Sequence, residues 1–384
     1  MEDRRMTNHR DLALAAMRGE AVDRVPFSAR MDLWYSYHRN CGTLPAPYEH
    51  AELWDIQRDL DIGIFGFGAW DISFYKSQFA DVEIDTSTKY GETVTYIVTP
   101  YGELSSVDVM SEEMMDAAGT AARTVFPFKS PADYDALEYL FDHTKITENY
   151  DVYGRFVESI GTDGIALPFS GHLPAHQLMI KYMGYEQFYY ELYENEARVE
   201  RLISAIQRQQ SEILDLASRC PAQAIEIGAN YDEEMTPPPV FERFFAPFYR
   251  DAREVLSKAG KILVVHGDGE MRVLLKLLME CGVQVVEALT PQPMTTIDLR
   301  QTRELWKDRV TMWGGLPSVI FTPVFSESEF ESYLQSMTDA LGPLDRFILG
   351  FGDNAPTDAL FDRIRRVAEH SRSLTGGGAH TNVR

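Results

Sequence analysis

"KILVVHGDGEMRVLL", residues 261–275, joins two periodicities in fifteen residues. The apolar, β-branched run 262–265 reads as a buried strand. It breaks at His266-Gly267-Asp268-Gly269-Glu270, after which Met271, Leu274, Leu275 and Leu278 share one face of a helix. A buried strand, a polar turn and an amphipathic helix form the repeat of a parallel sheet with helical crossovers. The same unit recurs on both sides. Strands are expected at "GIALPFS" (164–170), "QAIEIGA" (223–229), "GVQVVEAL" (282–289), "VTMWGG" (310–315) and "RFILG" (346–350). Helices are expected over about 175–183, 185–218, 239–259, 271–281, 297–306, 327–341 and 356–370.

Upstream, the Val-Pro-Phe run (25–27) of "DRVPFSARMDLWY" and "DIGIFGFG" (61–68) supply two further strands, with helices near 8–17, 48–60, 132–139 and 150–160. Eight strands with intervening helices predict an α/β fold of the (β/α)₈ TIM barrel type. No Gly-x-Gly-x-x-Gly follows the first strand, which argues against dinucleotide binding. Between residues 80 and 127 the pattern changes. "VEIDTST", "ETVTYIVTPYGEL" and "ARTVFPF" alternate with period two around a Pro-Tyr-Gly turn, predicting an N-terminal β-hairpin insertion. Residues 1–372 are read as one barrel domain and 373–384 as a flexible, Gly-rich tail.

The 384 residues carry 59 acids against 36 bases, a formal net charge of −23, and no long basic patch. Nucleic acid and anionic membrane surfaces are therefore excluded as expected partners. Three cysteines without CxxC spacing give no disulfide framework, and no signal peptide or long apolar stretch appears, so a cytoplasmic location is expected.

In such a barrel the chemistry sits at the C-terminal ends of the strands. Those ends present His172, then Asn230-Tyr231-Asp232 with Glu226 inside the strand, then His266-x-Asp268, Glu287, and finally "GFGDN" with Asp353. His266, Asp268 and Asp353 offer an imidazole and two carboxylates, a set able to bind a divalent ion, which Glu226 or Asn230 would complete. Asp268 and Asp353 also precede helices, so helix capping is the competing reading. "HLPAH" spaces His172 and His176 four apart, but Pro174 leaves His172 outside a regular turn, which favours a polar pocket wall or surface residues over a metal pair. Trp34, Tyr35, Phe67 and Trp70 crowd the first two strand ends. Most barrel aromatics are core, yet an apolar wall over a polar floor suits a planar substrate.

In "DRVPF", in "PFSGHLPAHQLMIKYMGYEQFYYELYENEARVERLI" and in "FILGFGDNAPTDALFDRI" the chain resembles the uroporphyrinogen decarboxylase superfamily, which includes corrinoid-dependent methyltransferases. The porphyrinogen decarboxylases carry Arg-Gln-Ala-Gly-Arg-Tyr where this chain has Arg30-Met31-Asp32-Leu33-Trp34-Tyr35, with one arginine kept and Asp32 introduced. The methyltransferases carry His-x-Cys after one strand and Gly-Cys after the last. His266 matches the histidine, while Asp268 and Asp353 stand at the cysteine positions.

The resemblance implies a methyltransferase moving a methyl group from a small, methoxylated aromatic donor to a corrinoid protein. Zn²⁺ would be held by His266, Asp268, Asp353 and Glu226, and the cobalamin carried by the partner. Oxygen ligands leave more positive charge on zinc than thiolates do, favouring activation of an ether oxygen. Asp232 and Asp32 are the candidate catalytic acids. Trp34, Tyr35, Phe67, Trp70, His172, Asn230 and Tyr231 are the candidate substrate contacts. A homodimer is expected from the superfamily. The alternatives are a decarboxylase of a planar acid and a non-catalytic tetrapyrrole- or corrinoid-binding barrel.

Overall fold

A computed structural model describes residues 8–66, 72–228, 230–342 and 344–374. A five-stranded parallel sheet dominates. It is built from β9 (Ala224–Gly228), β10 (Ile262–His266), β11 (Val285–Leu289), β12 (Thr311–Leu316) and β13 (Phe347–Phe351), which lie side by side in chain order. Every residue of these strands is buried, as expected where helical crossovers cover one face of a parallel sheet and packed side chains the other. A second parallel pair joins β1 (Ile64–Gly66) to β8 (Gly164–Ala166).

Backbone bridges connect these pieces. Phe27 bridges Leu349, Ser28 bridges Gly63, and Phe169 bridges Glu226. Ser28 N donates to Leu349 O at 2.9 Å and Gly63 N to Phe27 O at 2.7 Å, so the extended segment 27–28 stands between β13 and β1. Ser170 N donates to Glu226 O at 2.8 Å, which carries β8's continuation onto β9.

Side chains alternate across each strand. On one face Phe65, Ile165, Ala224, Ile262, Val264 and Val285 pack with Trp313 and Ile348 in a cluster of their own. Leu12 to Met17 of the helix His9–Arg18 and Val22 join that cluster and cover it. Two residues further along the same face the apolar pattern ends, and Glu226, His266 and Glu287 take over. The opposite face belongs to the main core under the crossover helices.

Between β1 and β8 lie β2 (Tyr75–Phe79), paired antiparallel with β7 (Thr144–Glu148), and a four-stranded antiparallel sheet. The latter contains β3 (Glu83–Lys89), β4 (Glu92–Thr99), β5 (Gly102–Val109) and β6 (Ala122–Val125). No helix among the described residues is long and apolar enough to cross a membrane.

Three local expectations need correction. The Val-Pro-Phe strand is followed by a helix that the sequence pattern does not predict, Asp32–Asn40, in which the rings of Trp34 and His38, four residues apart, lie tilted at 48° with centres 4.9 Å apart. The helices expected over 175–183 and 239–259 each contain a π-helical turn, Leu178–Tyr182 and Phe241–Phe245. The last helix begins at Phe361 rather than near 356, because the chain first turns through Ser318's hydrogen bonds to the carbonyls of Gly352 and Asn354. Residues 375–384, most of the expected tail, lie outside the described residues.

Candidate metal centre

Strand register sets the site's floor. His266 lies opposite Glu287 on β11 and opposite Gly228 on β9. In-register neighbours point the same way, so Glu287 Oε2 comes within 2.6 Å of His266 Nδ1. Glu226, two residues before Gly228, points to the same face, with Oε1 3.8 Å from Nδ1. Neither oxygen of Glu226 meets a donor among the described residues.

Burial and the Glu287 charge hold Glu226 well above the usual carboxylate range. Burial alone would push His266 down. The charge and hydrogen bond of Glu287, then the charges of Asp268 and Glu226, push it up to about 10 instead.

The other imidazole nitrogen faces the loops. Nε2 is 3.8 Å from Asp268 Oδ1 and 3.8 Å from Asp353 Oδ1. Asp268 Oδ1 is buried and has no hydrogen-bond partner among the described residues, while Oδ2 accepts from Asn230 Nδ2 at 3.3 Å. Burial raises Asp268; the His266 charge offsets this in part, and Asp353 adds to it. Asp353 sits at φ +77°, a conformation L-residues seldom adopt, and one that aspartate tolerates better than most. Arg30 Nη1 donates to Asp353 Oδ1 at 2.6 Å, and Arg30 Nη2 lies 3.4 Å from Asp32 Oδ2. Asp32 Oδ1 in turn accepts from Asn354 Nδ2 at 2.9 Å. Burial disfavours the Arg30 charge, but Asp353, Asp32 and Glu287 more than compensate.

Two glycines of the quoted turns are required by close packing. A Cβ on Gly269 would stand 1.8 Å from the Tyr231 carbonyl oxygen, and one on Gly352 2.3 Å from Thr290 Oγ1.

The capping alternative finds no support in these loops. The helical turn after β10 starts beyond Met271, and Glu233 Oε2 accepts from Val273 N at 2.8 Å; the last helix has Leu360 at its N-cap. His266, Asp268 and Asp353 instead form a group whose ligand atoms lie within 4.8 Å of one another and could hold a metal ion. Glu226 belongs to a second such group, with His266 and Glu287, on the Nδ1 side of the ring.

The residues fit a divalent cation. A histidine that ligates through Nε2 usually gives its Nδ1–H to a carboxylate, as His266 does. Ligand atoms around tetrahedral zinc stand roughly 3.3–3.5 Å apart, given metal–ligand distances of about 2.0–2.2 Å, so the 3.8 Å separations need only a small contraction.

Other expected site residues are distributed as follows. Asn230 reaches the centre through Asp268. His172 packs edge-on against Phe169, ring centres 5.2 Å apart, and against His176 at 5.4 Å. Burial, then the charges of Lys181 and His176, hold His172 well below the usual imidazole range. Tyr231 is buried and shares a hydrogen bond with the Tyr249 hydroxyl. Asp232 is exposed and accepts from the backbone N–H groups of Glu234 and Met235 at 2.8 and 3.1 Å.

Trp34 differs from the expected pocket wall. Its Nε1 donates to the Ala359 carbonyl at 3.1 Å and its ring stacks on Phe361, so it is core. Tyr35 is likewise occupied, bonding Ala51 O and Glu52 Oε2 at 3.1 Å each. Phe67 and Trp70 lie outside the described residues.

The family model for uroporphyrinogen decarboxylase (URO-D) matches residues 107–374, more than half of the chain. The chain belongs to the uroporphyrinogen decarboxylase family. A solved structure, a methyltransferase from Methanosarcina mazei, is similar to this family member with a TM-score of 0.59 at 12% identity. The match covers 95% of this chain and 98% of that one. At that identity the likeness shows the fold. No curated protein matches the chain.

Within this uroporphyrinogen decarboxylase family member, Glu287 and Arg30 were underweighted by sequence reasoning. Glu287 had a signal: like Glu226 in "AIEIG", it is a lone acid inside an apolar strand, "VVEAL".

Proposed function

We propose that this protein is a metal-assisted methyltransferase that moves a methyl group from a small, methoxylated aromatic compound to a corrinoid protein. One observation carries the reading: His266 is held from behind by Glu287 while its Nε2 faces Asp268 and Asp353. The same proposal reads the eight parallel segments as a closed (β/α)₈ barrel, supported by the bridges at 27, 28 and 169, with residues 80–127 inserted. A member of the same fold named as a methyltransferase supports the reaction class.

Zinc bound at Nε2 and the two carboxylates would supply Lewis acidity toward the donor's ether oxygen. Glu287 fixes the imidazole's tautomer and direction. Arg30 braces Asp353, Asp32 braces Arg30 and Asn354, and Asn230 braces Asp268. Phe169 and His172, edge to face beside the β8 end, offer apolar surface to a planar donor.

The decarboxylase alternative asks Arg30 to hold a substrate carboxylate, yet Asp353 and Asp32 already occupy that guanidinium. For a protein partner, the loops after β9 to β13 each expose one large apolar side chain. These are Met235, Val273, Met294, Val324 and Leu360, a rim suited to docking.

The experiment adds cob(I)alamin and a methoxylated aromatic to the zinc-supplemented protein and follows the cobalamin spectrum. Conversion to methylcobalamin, lost in His266→Ala, supports the proposal. Release of CO₂ from an aromatic acid with no cobalamin methylation would overturn it in favour of the decarboxylase.

A further inference from the structure

At the end of the sheet opposite His266, the chain gathers arginines. Arg18 ends the helix His9–Arg18, Arg253 lies in the helix Ala246–Lys258, and Arg309 and Arg346 precede β12 and β13. These four line a cavity of about 310 Å³ together with Met17, Met279 and the segment 282–284, and no carboxylate shares the lining. An adjoining cavity of about 430 Å³ shares Arg346 and adds Arg303 and Lys307, with Asp308 and Asp345.

Two of these four guanidinium groups, those of Arg18 and Arg346, are held by neutral acceptors. Arg18 Nη2 donates to Gln223 Oε1 at 2.6 Å, and Arg346 Nη2 donates to the Arg18 carbonyl at 3.1 Å. Arg346 Nη1 is 3.5 Å from Thr311 Oγ1, and Arg303 donates to the Asp345 carbonyl. Such anchors fix direction without cancelling charge. Among the described residues none of Arg18, Arg253, Arg309 and Arg346 is within 4.0 Å of a carboxylate oxygen. Arg346 itself sits at φ +54°, outside the usual range of L-residues, so the backbone carries strain where the side chain enters the cluster.

Burial is the main reason Arg303 stands below the usual guanidinium range, with Asp345 pulling against it and the nearby Arg346 charge adding to it. All this occurs in a chain whose net charge is −23, where a patch of one positive sign is not what composition supplies.

We propose that this cavity binds a small oligophosphate anion, a molecule carrying two or more linked phosphates. Four arginines lining one cavity can offer guanidinium groups to phosphate oxygens in forked, charge-assisted hydrogen bonds. A single phosphate would leave part of that set unused. The cavity is too small to seat a folded partner, and the neighbouring Arg303 and Lys307 would meet whatever the phosphates are attached to.

The test is calorimetric titration of the full-length protein, in metal-free buffer, with inorganic phosphate, inorganic pyrophosphate and ATP. Saturable one-to-one binding of pyrophosphate is expected, tighter than inorganic phosphate and weakened by added salt. ATP equal to pyrophosphate points to a free oligophosphate as the ligand, and tighter ATP to a nucleotide; both support the class.

Arg253→Gln and Arg309→Gln should each weaken pyrophosphate about tenfold or more. Neither side chain makes a hydrogen bond among the described residues, so the fold should survive, and circular dichroism checks this. Pyrophosphate should raise the melting temperature of the parent protein and leave the double variant's unchanged. No saturable binding, or binding that persists undiminished in the double variant, overturns the proposal.

Discussion

Glu287 and His266 occupy the same register position on adjacent parallel strands, and their side chains meet at 2.6 Å on the face that also carries Glu226. The pair fixes the direction of one imidazole, because the nitrogen facing Glu287 is committed and the other looks toward Asp268 and Asp353. Replacing Glu287 by Gln keeps the shape but removes the charge that favours the ligating tautomer. Zinc affinity, measured by competition with a chromogenic chelator, should fall about 10- to 100-fold. Unchanged affinity would show that Glu287 does not orient the ligand.

Arg30 has a different part. Its guanidinium is bonded to the Asp353 oxygen that faces His266, and it lies nearly buried among carboxylates. Arg30→Met leaves those acids unpaired, which should destabilise the metal-free protein by roughly 3 kcal/mol. A divalent ion supplies the missing charge, so zinc should raise the melting temperature of the variant by more than it raises that of the parent. Thermal unfolding with and without zinc tests this; an equal or smaller zinc effect in Arg30→Met contradicts it.

Acid should loosen the region around His176, which is buried against Tyr185, Tyr231 and Phe245. Burial, then the Lys181 charge, lowers this imidazole to about 4. The folded-state value is depressed below the unfolded value of about 6.5, so its contribution is fully present above about pH 6.5 and is lost as pH falls toward 4. The change amounts to at most about 3 kcal/mol. Urea unfolding at stepped pH should show stability falling through that window, with a shallower slope in His176→Phe.

Glycine positions provide a stability test free of chemistry. Gly269→Ala places a methyl group against the Tyr231 carbonyl and should cost several kcal/mol, of order 3 or more. Gly154, inside the helix Tyr150–Ile160, has open space around its Cβ position, so Gly154→Ala should be neutral or stabilising by up to about 1 kcal/mol. Denaturant midpoints of the two variants decide it.

Much of the sheet was legible because its strands are short apolar runs between polar turns, and "ILVV", "VVEAL" and "FILG" leave little choice of secondary structure. The helix Asp32–Asn40 was not, because a Val-Pro-Phe strand signal runs into it without a turn residue and its aromatics resemble a strand end. His266, Asp268 and Asp353 were legible as residues at strand ends. Their convergence was not, since it depends on the φ of Asp353 and on the glycines that let the loops approach. Glu226 was expected beside them, yet its strand position sets it on the Nδ1 side of the ring. The arginine cluster escaped notice because its members come from four separated segments of the chain, none of them basic by itself.

The central claim is that His266, Asp268 and Asp353 together hold one divalent ion. Elemental analysis of protein purified after growth with added zinc, set beside His266→Ala, Asp268→Ala and Asp353→Ala, tests it most directly. The account predicts close to one zinc per chain in the parent and a loss of most of it in each variant. A parent protein without stoichiometric metal, or variants that retain it in full, would contradict the account.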